Sequence, residues 1–296
     1  MTGAEHFAAP PEWQWWILGY FFFGGLAGGS YALGTLLRFG GDPRDELAAR
    51  IAFIASFIAL IPCPIFLTVD LGQPLRFWHM LLDTGPDGGL AFKPWSPMSL
   101  GSWALLAFGL FSFVSFVGAL AEGGQLRAAS GLARALRGGA GLAWNAIGTV
   151  LGLFICAYTG VLLAVSNQAV WSDAAWALGG MFLASALAGA TALLLFLGRS
   201  RRDVDADTAY RLEVADRYFV LLEALLIAIF LVTVAVAGTI AKVLGVWIVL
   251  WLVVLLGLAA PFLSARARTW PPLAAPLLAL LGVLALRALV IFSAQT

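Results

Sequence analysis

Charge is what this sequence has least of. Asp, Glu, Lys and Arg make up 11% of its 296 residues, against about 25% in a soluble domain. Histidine and cysteine are scarcer still, with two of each. His6 and His79 both lie outside the long apolar runs, so the paired axial imidazoles of a transmembrane b-type haem are missing. Cys63 and Cys156 each fall inside an apolar run, and two thiols cannot supply the roughly four ligands of an iron–sulfur cluster. They read as small buried apolar residues. There is no Gly-rich phosphate loop and no nucleophile elbow. A net charge of +1 gives no footprint for nucleic acid. Residues 1–12 hold Glu5 and Glu12 but no Lys or Arg, so the basic start of a cleavable signal is absent and none is expected.

What is present is apolar surface. The chain is 61% hydrophobic with a mean hydropathy of +0.94. One soluble core cannot hide that much, so lipid must solvate part of it. A span needs about 20 mostly apolar residues. Eight such runs stand at 15–37, 51–70, 98–121, 141–165, 174–198, 218–240, 244–263 and 273–293. Backbone groups in lipid must be satisfied within their own segment, so the spans are helices and the fold is all-α integral membrane.

The loops give a direction. Alternate loops on one side carry thirteen Arg, among them Arg38, Arg44, Arg50, Arg134, Arg202, Arg211 and Arg268. The other side carries only Arg76, Lys93 and Lys242, with Arg287 left inside a span. Positive charge stays in the cytoplasm, so both termini are expected on the outer, periplasmic side. The longest outer connection, residues 71–97, is rich in Trp, Pro and Gly. With the N-terminus it is the natural docking surface for an external partner, unless it is a plain connector.

Charged groups inside spans are costly and tend to mark function. Asp70 ends the second span on the outer side, Arg287 lies about two turns inside the eighth, and Glu223 lies in the sixth toward the cytoplasm. At ~1.5 Å per residue, Tyr20, Asp70, Tyr158 and Arg287 share an outer slab of about 10 Å. Arg76 and His79 follow Asp70, and Ser166 and Asn167 end the fourth span on the same side. Such a cluster suits a headgroup with two opposed oxygens and could move protons. Plainer roles stand beside this one. Asp70 and Arg287 could form a structural ion pair. Tyr20 and Tyr158 could be interface anchors, as Trp13, Trp15 and Trp16 are read to be. Glu223 is either a station on a proton path or a helix–helix hydrogen-bond partner. Pro62-Cys63-Pro64 should kink the second span and open space beneath Asp70. The run Gly24-Gly25-Leu26-Ala27-Gly28-Gly29 sits within a span, where its spacing signals close helix packing and not a nucleotide loop.

Four stretches together resemble a known family: Gly24 to Gly29; Asp70-Leu71-Gly72-Gln73-Pro74-Leu75-Arg76-Phe77-Trp78; Ser96-Pro97-Met98-Ser99-Leu100-Gly101-Ser102-Trp103; and Tyr158-Thr159-Gly160-Val161-Leu162-Leu163. The family is NrfD/PsrC, the quinone-interacting membrane subunits of polysulfide-reductase-type complexes. The resemblance is close over the first half and looser near Arg287. It implies two four-helix bundles, here 1–170 and 171–296, in a bacterial inner membrane. It implies a menaquinone or ubiquinone site near the outer surface, with no haem or iron–sulfur cluster on this chain. It also implies a periplasmic partner holding four iron–sulfur clusters, attached to a molybdopterin or other catalytic subunit. Tyr158 matches the family's quinone-ligating Tyr, and Asp70 its proton-exchanging carboxylate. Some members supply Asn and His from the first helix, where this chain has Ile17 and Tyr20. Ile17 cannot hydrogen bond through its side chain, and His79 is the loop residue that could supply an imidazole. The alternative class is a proton-coupled transporter using Glu223, Asp70 and Arg287. Transporters tend to pair broken helices in their two halves, and no break answering Pro62 and Pro64 appears in the sixth span.

Overall fold

The apolar runs fold into helices throughout. The structure, a computed structural model, describes residues 12–85, 88–201, 204–266 and 271–295. His6, the N-terminal stretch read as part of a docking surface, Arg202 and Arg268 lie outside the described residues. The helices are α1 (Trp15–Phe39), α2 (Glu46–Leu60), α3 (Pro62–Asp70), α4 (Pro97–Glu122), α5 (Ser130–Arg137), α6 (Gly139–Ala164), α7 (Ala175–Arg201), α8 (Ala206–Val236), α9 (Ile240–Leu244), α10 (Ile248–Arg266) and α11 (Ala274–Ser293). Eight segments are long and apolar enough to cross a membrane, with α2 and α3 together forming the second. All eight expected spans are therefore present.

Most boundaries fall within a few residues of the sequence reading, and the sixth differs most. Helix α8 begins at Ala206, twelve residues before the apolar run, because Asp205 caps it by accepting from Asp207 N at 2.9 Å. Its first three turns carry charge and extend the helix past the apolar zone. It ends at Val236, before Gly238 at φ +83 and the separate short helix α9. The second span is interrupted at Pro62-Cys63-Pro64. Pro62 has no N–H to donate, so α2 ends at Leu60 and α3 starts at Pro62, with Ile61 between them still at helical angles (φ −52, ψ −47).

Helix α1 is the axis of the molecule, packing against α2, α3, α6, α7 and α11. Its small residues make that possible. A Cβ on Gly29 would lie 2.7 Å from the Ala190 Cβ of α7, and one on Gly28 would meet the Gly152 carbonyl and the Cys156 sulfur of α6. The two chain ends meet at one end of the bundle. Trp13 N donates to Gln295 Oε1 at 3.0 Å, and Gln295 Nε2 donates back to Trp13 O at 2.8 Å. Trp13 also stacks on Trp171, so it is packed against protein, whereas Trp15 and Trp16 are exposed in the manner of a belt. The link from α6 to α7 is pinned nearby. Trp171 Nε1 donates to Val290 O at 2.7 Å, and the preceding Val170 is held at φ +73, a strained conformation for a β-branched residue.

The Arg-rich loops gather at the opposite end and are tied by ion pairs. Arg38 reaches Glu122 at 2.7 Å, Arg137 reaches Glu46 at 3.0 Å, and Arg199 reaches Glu213 at 2.6 Å. Arg211 meets Asp45 at 2.7 Å, and Arg44 joins Asp42 to Asp207. The Arg44 side chain, hydrogen-bonded to Asp42, holds that carboxyl below its usual range.

Candidate functional site

Two buried polar clusters flank α1, one on each side. The first joins α1, α3, α4 and α6. Tyr20 is fully buried and lies close enough to Tyr158 and Cys63 to interact with both electrostatically. Its hydroxyl makes no hydrogen bond to a described residue. Tyr158 is buried on α6, stacks on Phe154 at 5.6 Å between ring centres, and donates from its hydroxyl to Pro97 O at 2.7 Å. Its ring lies against Gly101, where any Cβ would collide with it.

This arrangement accounts for the residues from Ser96 to Trp103. Ser96 caps α4 by accepting from Ser99 N at 3.4 Å, and Pro97 takes the first turn, where no N–H is needed. Ser99 Oγ donates to Ala91 O at 2.9 Å and accepts from Lys93 N at 3.0 Å, while Trp103 Nε1 reaches the same Ala91 O at 3.4 Å. The loop of residues 71–97 is thereby clamped onto the start of α4, and Gly101 leaves room for Tyr158.

The second cluster joins α1, α7, α8 and α11. Arg287 is completely buried. Its Nε donates to Phe21 O at 3.1 Å, and its two terminal nitrogens to Ser185 Oγ at 2.8 Å, Val283 O at 3.4 Å and Phe182 O at 3.4 Å. The guanidinium also lies over the Phe182 ring at 5.3 Å. Glu223, likewise buried, interacts with Ser185 and with the Arg287 charge. Gly25 is the reason the guanidinium fits, since a Cβ there would come within 2.7 Å of its nitrogen. Arg287 holds the carbonyl of Phe21, the residue after Tyr20, so the two clusters meet across α1.

The remaining candidates stand apart. Asp70 ends α3 on the rim, half-buried, and no ion pair joins it to Arg287 among the described residues. Arg76 and His79 lie exposed on the 3₁₀ turn Pro74–Met80, with the His79 ring against Trp78. Asn167 is exposed beyond α6 and accepts from Gln168 Nε2 at 3.3 Å. Three further participants are Ser185, the Pro97 carbonyl and Asp216. No sequence rule singles out the first two. Asp216 carries a signal, since it precedes Glu223 by two turns on one helix face. A sixth span that starts at residue 218 leaves it outside the membrane. Cys63 and Cys156 are free and buried, and among the described residues no group of three or more His, Cys, Asp or Glu side chains could hold a metal ion.

Eight membrane-length helices around a glycine-rich axis, with tyrosines on one side and a buried arginine and glutamate sharing Ser185 on the other, define a multi-pass membrane protein with a polar interior. The chain belongs to the NrfD family, described as "Polysulphide reductase, NrfD", which matches residues 5–296. It is also similar to a selenate reductase subunit from Mesobacillus selenatarsenatis. The identity is 33% over 82 residues, 28% of this chain and 19% of that relative. The matched stretch is thus about a fifth of the relative's length.

Proposed function

We propose that this chain is the membrane anchor of a respiratory iron–sulfur oxidoreductase, in a bacterial inner membrane, and that it holds a quinone at the Tyr20–Tyr158 cluster. The observation that carries the reading is the Tyr20 side chain: buried, making no hydrogen bond to a described residue through its hydroxyl, and near enough to a second buried tyrosine, Tyr158, to interact with it. A ligand oxygen would give that hydroxyl a hydrogen bond worth about 1 kcal/mol. Family membership and the relative's name as a subunit of a reductase support the wider role.

The residues present fit a quinone headgroup. Tyr20 would donate to one carbonyl oxygen. Tyr158 now donates to Pro97 O, so its hydroxyl would turn to donate to the other. Phe154 and the Gly101 backbone would flank the ring. A bound quinone supplies the two-electron, two-proton chemistry. Asp70 on the rim is placed to exchange protons with outer-side water. Arg287 acts on the site through the Phe21 carbonyl, fixing the backbone beside Tyr20. The exposed Arg76 and His79, with the clamped loop behind them, suit contact with the cluster-bearing partner better than contact with a buried headgroup. Menaquinone and ubiquinone both present the opposed oxygens this pair would hold. Both termini would then face the periplasm, together with the cluster-bearing and catalytic subunits.

Binding of a quinone analogue, followed by quenching of Trp fluorescence, tests the site. Tyr20→Phe and Tyr158→Phe should each weaken binding about fivefold, the loss of one hydrogen bond worth roughly 1 kcal/mol. Unchanged affinity in both variants would overturn the assignment. In the intact complex, Asp70→Asn should slow quinone-linked turnover while leaving analogue affinity in place.

A further inference from the structure

A second polar route begins at the Arg-rich end and does not involve the tyrosine site. A cavity of about 250 Å³ opens there between α7, α8, α10 and α11, with Arg199, Glu213, Asp216, Arg217 and Ser264 in its wall. A smaller cavity of about 10 Å³ holds Glu223 and is lined by the same four helices. The linings are consecutive. On α8 the wall passes from Asp216 to Val220 and Glu223, on α10 from Pro261 to Gly257, and on α11 from Ala275 to Ala279 and Gly282. The smaller cavity therefore lies about a turn beyond the larger one along the same four-helix seam. Its volume is about that of one water molecule.

The seam contains an unsatisfied acid. Asp216 is 4% exposed, and its Oδ1 has no hydrogen-bond partner. The charged groups facing it are Glu223, Arg199, Glu213 and Arg217. Glu223 faces Ser185 and Arg287. Beyond Glu223 the route stops. A guanidinium offers five donors and no acceptor, and it does not give up its proton. Arg287 has donors engaged on Phe21 O, Phe182 O and Ser185 Oγ.

We propose that this seam is a proton well: it admits protons from water at the Arg-rich end through Asp216 to Glu223 and is closed at its inner end by Arg287. A hydronium ion in the outer cavity gives its proton to the Asp216 carboxylate and is left as water. The acid so formed gives it to a single water in the inner cavity, that water gives one to the Glu223 carboxylate, and Asp216 is again ionised. Nothing is oxidised or reduced. Ser185 and then Arg287 stand between the loaded proton and the backbone beside Tyr20.

Dicyclohexylcarbodiimide tests this with the full chain alone, in proteoliposomes of one orientation and without quinone or partner. The reagent enters through lipid and modifies protonated carboxyls in apolar surroundings. Mass spectrometry reads modification of Glu223, and Glu223→Gln confirms the position by losing it. A step from about pH 9 to about pH 6 on the Arg-rich side should raise labelling tenfold or more, as carboxyl protonation rises. The same step on the opposite side should change nothing. Ser264→Phe, which puts a ring into the outer cavity, should abolish the response. Labelling that follows the opposite side, follows both sides equally, fails at low pH on both sides, or still responds in Ser264→Phe overturns the proposal. Because quinone is absent, a failure here leaves the tyrosine site untouched, and loss of quinone binding leaves the well untouched.

Discussion

Helix α1 is the least hydropathic of the eight spans and the most buried, whereas α8 is the most hydropathic and, with α10, the least buried. In a soluble protein that order would be reversed. Lipid tails are as apolar as leucine, so burying a leucine between helices gains little there. Close backbone contact and hydrogen bonds gain more. Helix α1 accordingly spends its positions on glycine, serine and tyrosine. Helix α8 shows leucine and valine to the lipid at Leu221, Leu225, Val232 and Val236, and keeps a narrow inward stripe of Asp216, Val220, Glu223, Ile227 and Phe230. Function follows the same division. Both polar clusters touch α1, and α8 contributes only through its stripe.

The sharpest way to break this comparison is to remove the charge that binds the two helices to one centre. Arg287→Met would take the second donor from the Phe21 and Phe182 carbonyls, whose helical N–H bonds remain, and would remove the charge nearest Glu223. A hydrogen bond from a charged group is worth about 1.5–3 kcal/mol. The variant should unfold markedly earlier in detergent, and Arg287→Met combined with Glu223→Gln should recover part of the loss. A single variant as stable as wild type would mean that the hydrogen bonds of Arg287 do not hold α11 to α1 and α7.

The glycine face of α1 comes next. Gly28→Val places a branched side chain against the Gly152 carbonyl and the Cys156 sulfur. Overpacking of this kind costs about 1–3 kcal/mol. Val232→Ala removes two carbons from α8, at a residue 64% exposed to lipid, and should change thermal stability by less than about 0.5 kcal/mol. Equal losses in the two variants would refute the view of α1 as axis and α8 as rim.

The spans were legible because composition alone demands a lipid phase, and twenty-residue runs can be counted. The interruption at Ile61 was legible because proline lacks a donor. The grouping of site residues was not. Depth along a helix can be read from sequence, and Arg287 does reach the turn of α1 that holds Tyr20. Azimuth around the helix cannot, so nothing in the sequence placed Arg287 and Tyr20 on different sides of α1. The partners of Arg287 are largely backbone carbonyls, which carry no residue identity. Asp216 was missed for a different reason. Hydropathy locates the apolar core of a helix, and α8 runs three turns beyond its own.

The smallest expected effect concerns the loop that meets the outer water. Ser99 sits at the start of α4, donates to Ala91 O and accepts from Lys93 N. Ser99→Ala removes both bonds while leaving the Ser96 cap and the Trp103 contact with Ala91 in place. Each lost bond is worth about 1 kcal/mol. The cost falls on a loop whose opening need not unfold the helices behind it. Global thermal stability should therefore stay near wild type, while amide exchange at Lys93 rises roughly tenfold, as about 1.4 kcal/mol of local opening would give. Tyr158 reports whether the clamp and the tyrosine site are one device. Its hydroxyl donates to Pro97 O, two residues from Ser99. If the clamp positions that carbonyl, quinone-analogue affinity should fall in Ser99→Ala alongside the rise in exchange. If exchange rises and affinity holds, α4 fixes Pro97 unaided and the loop serves its partner alone.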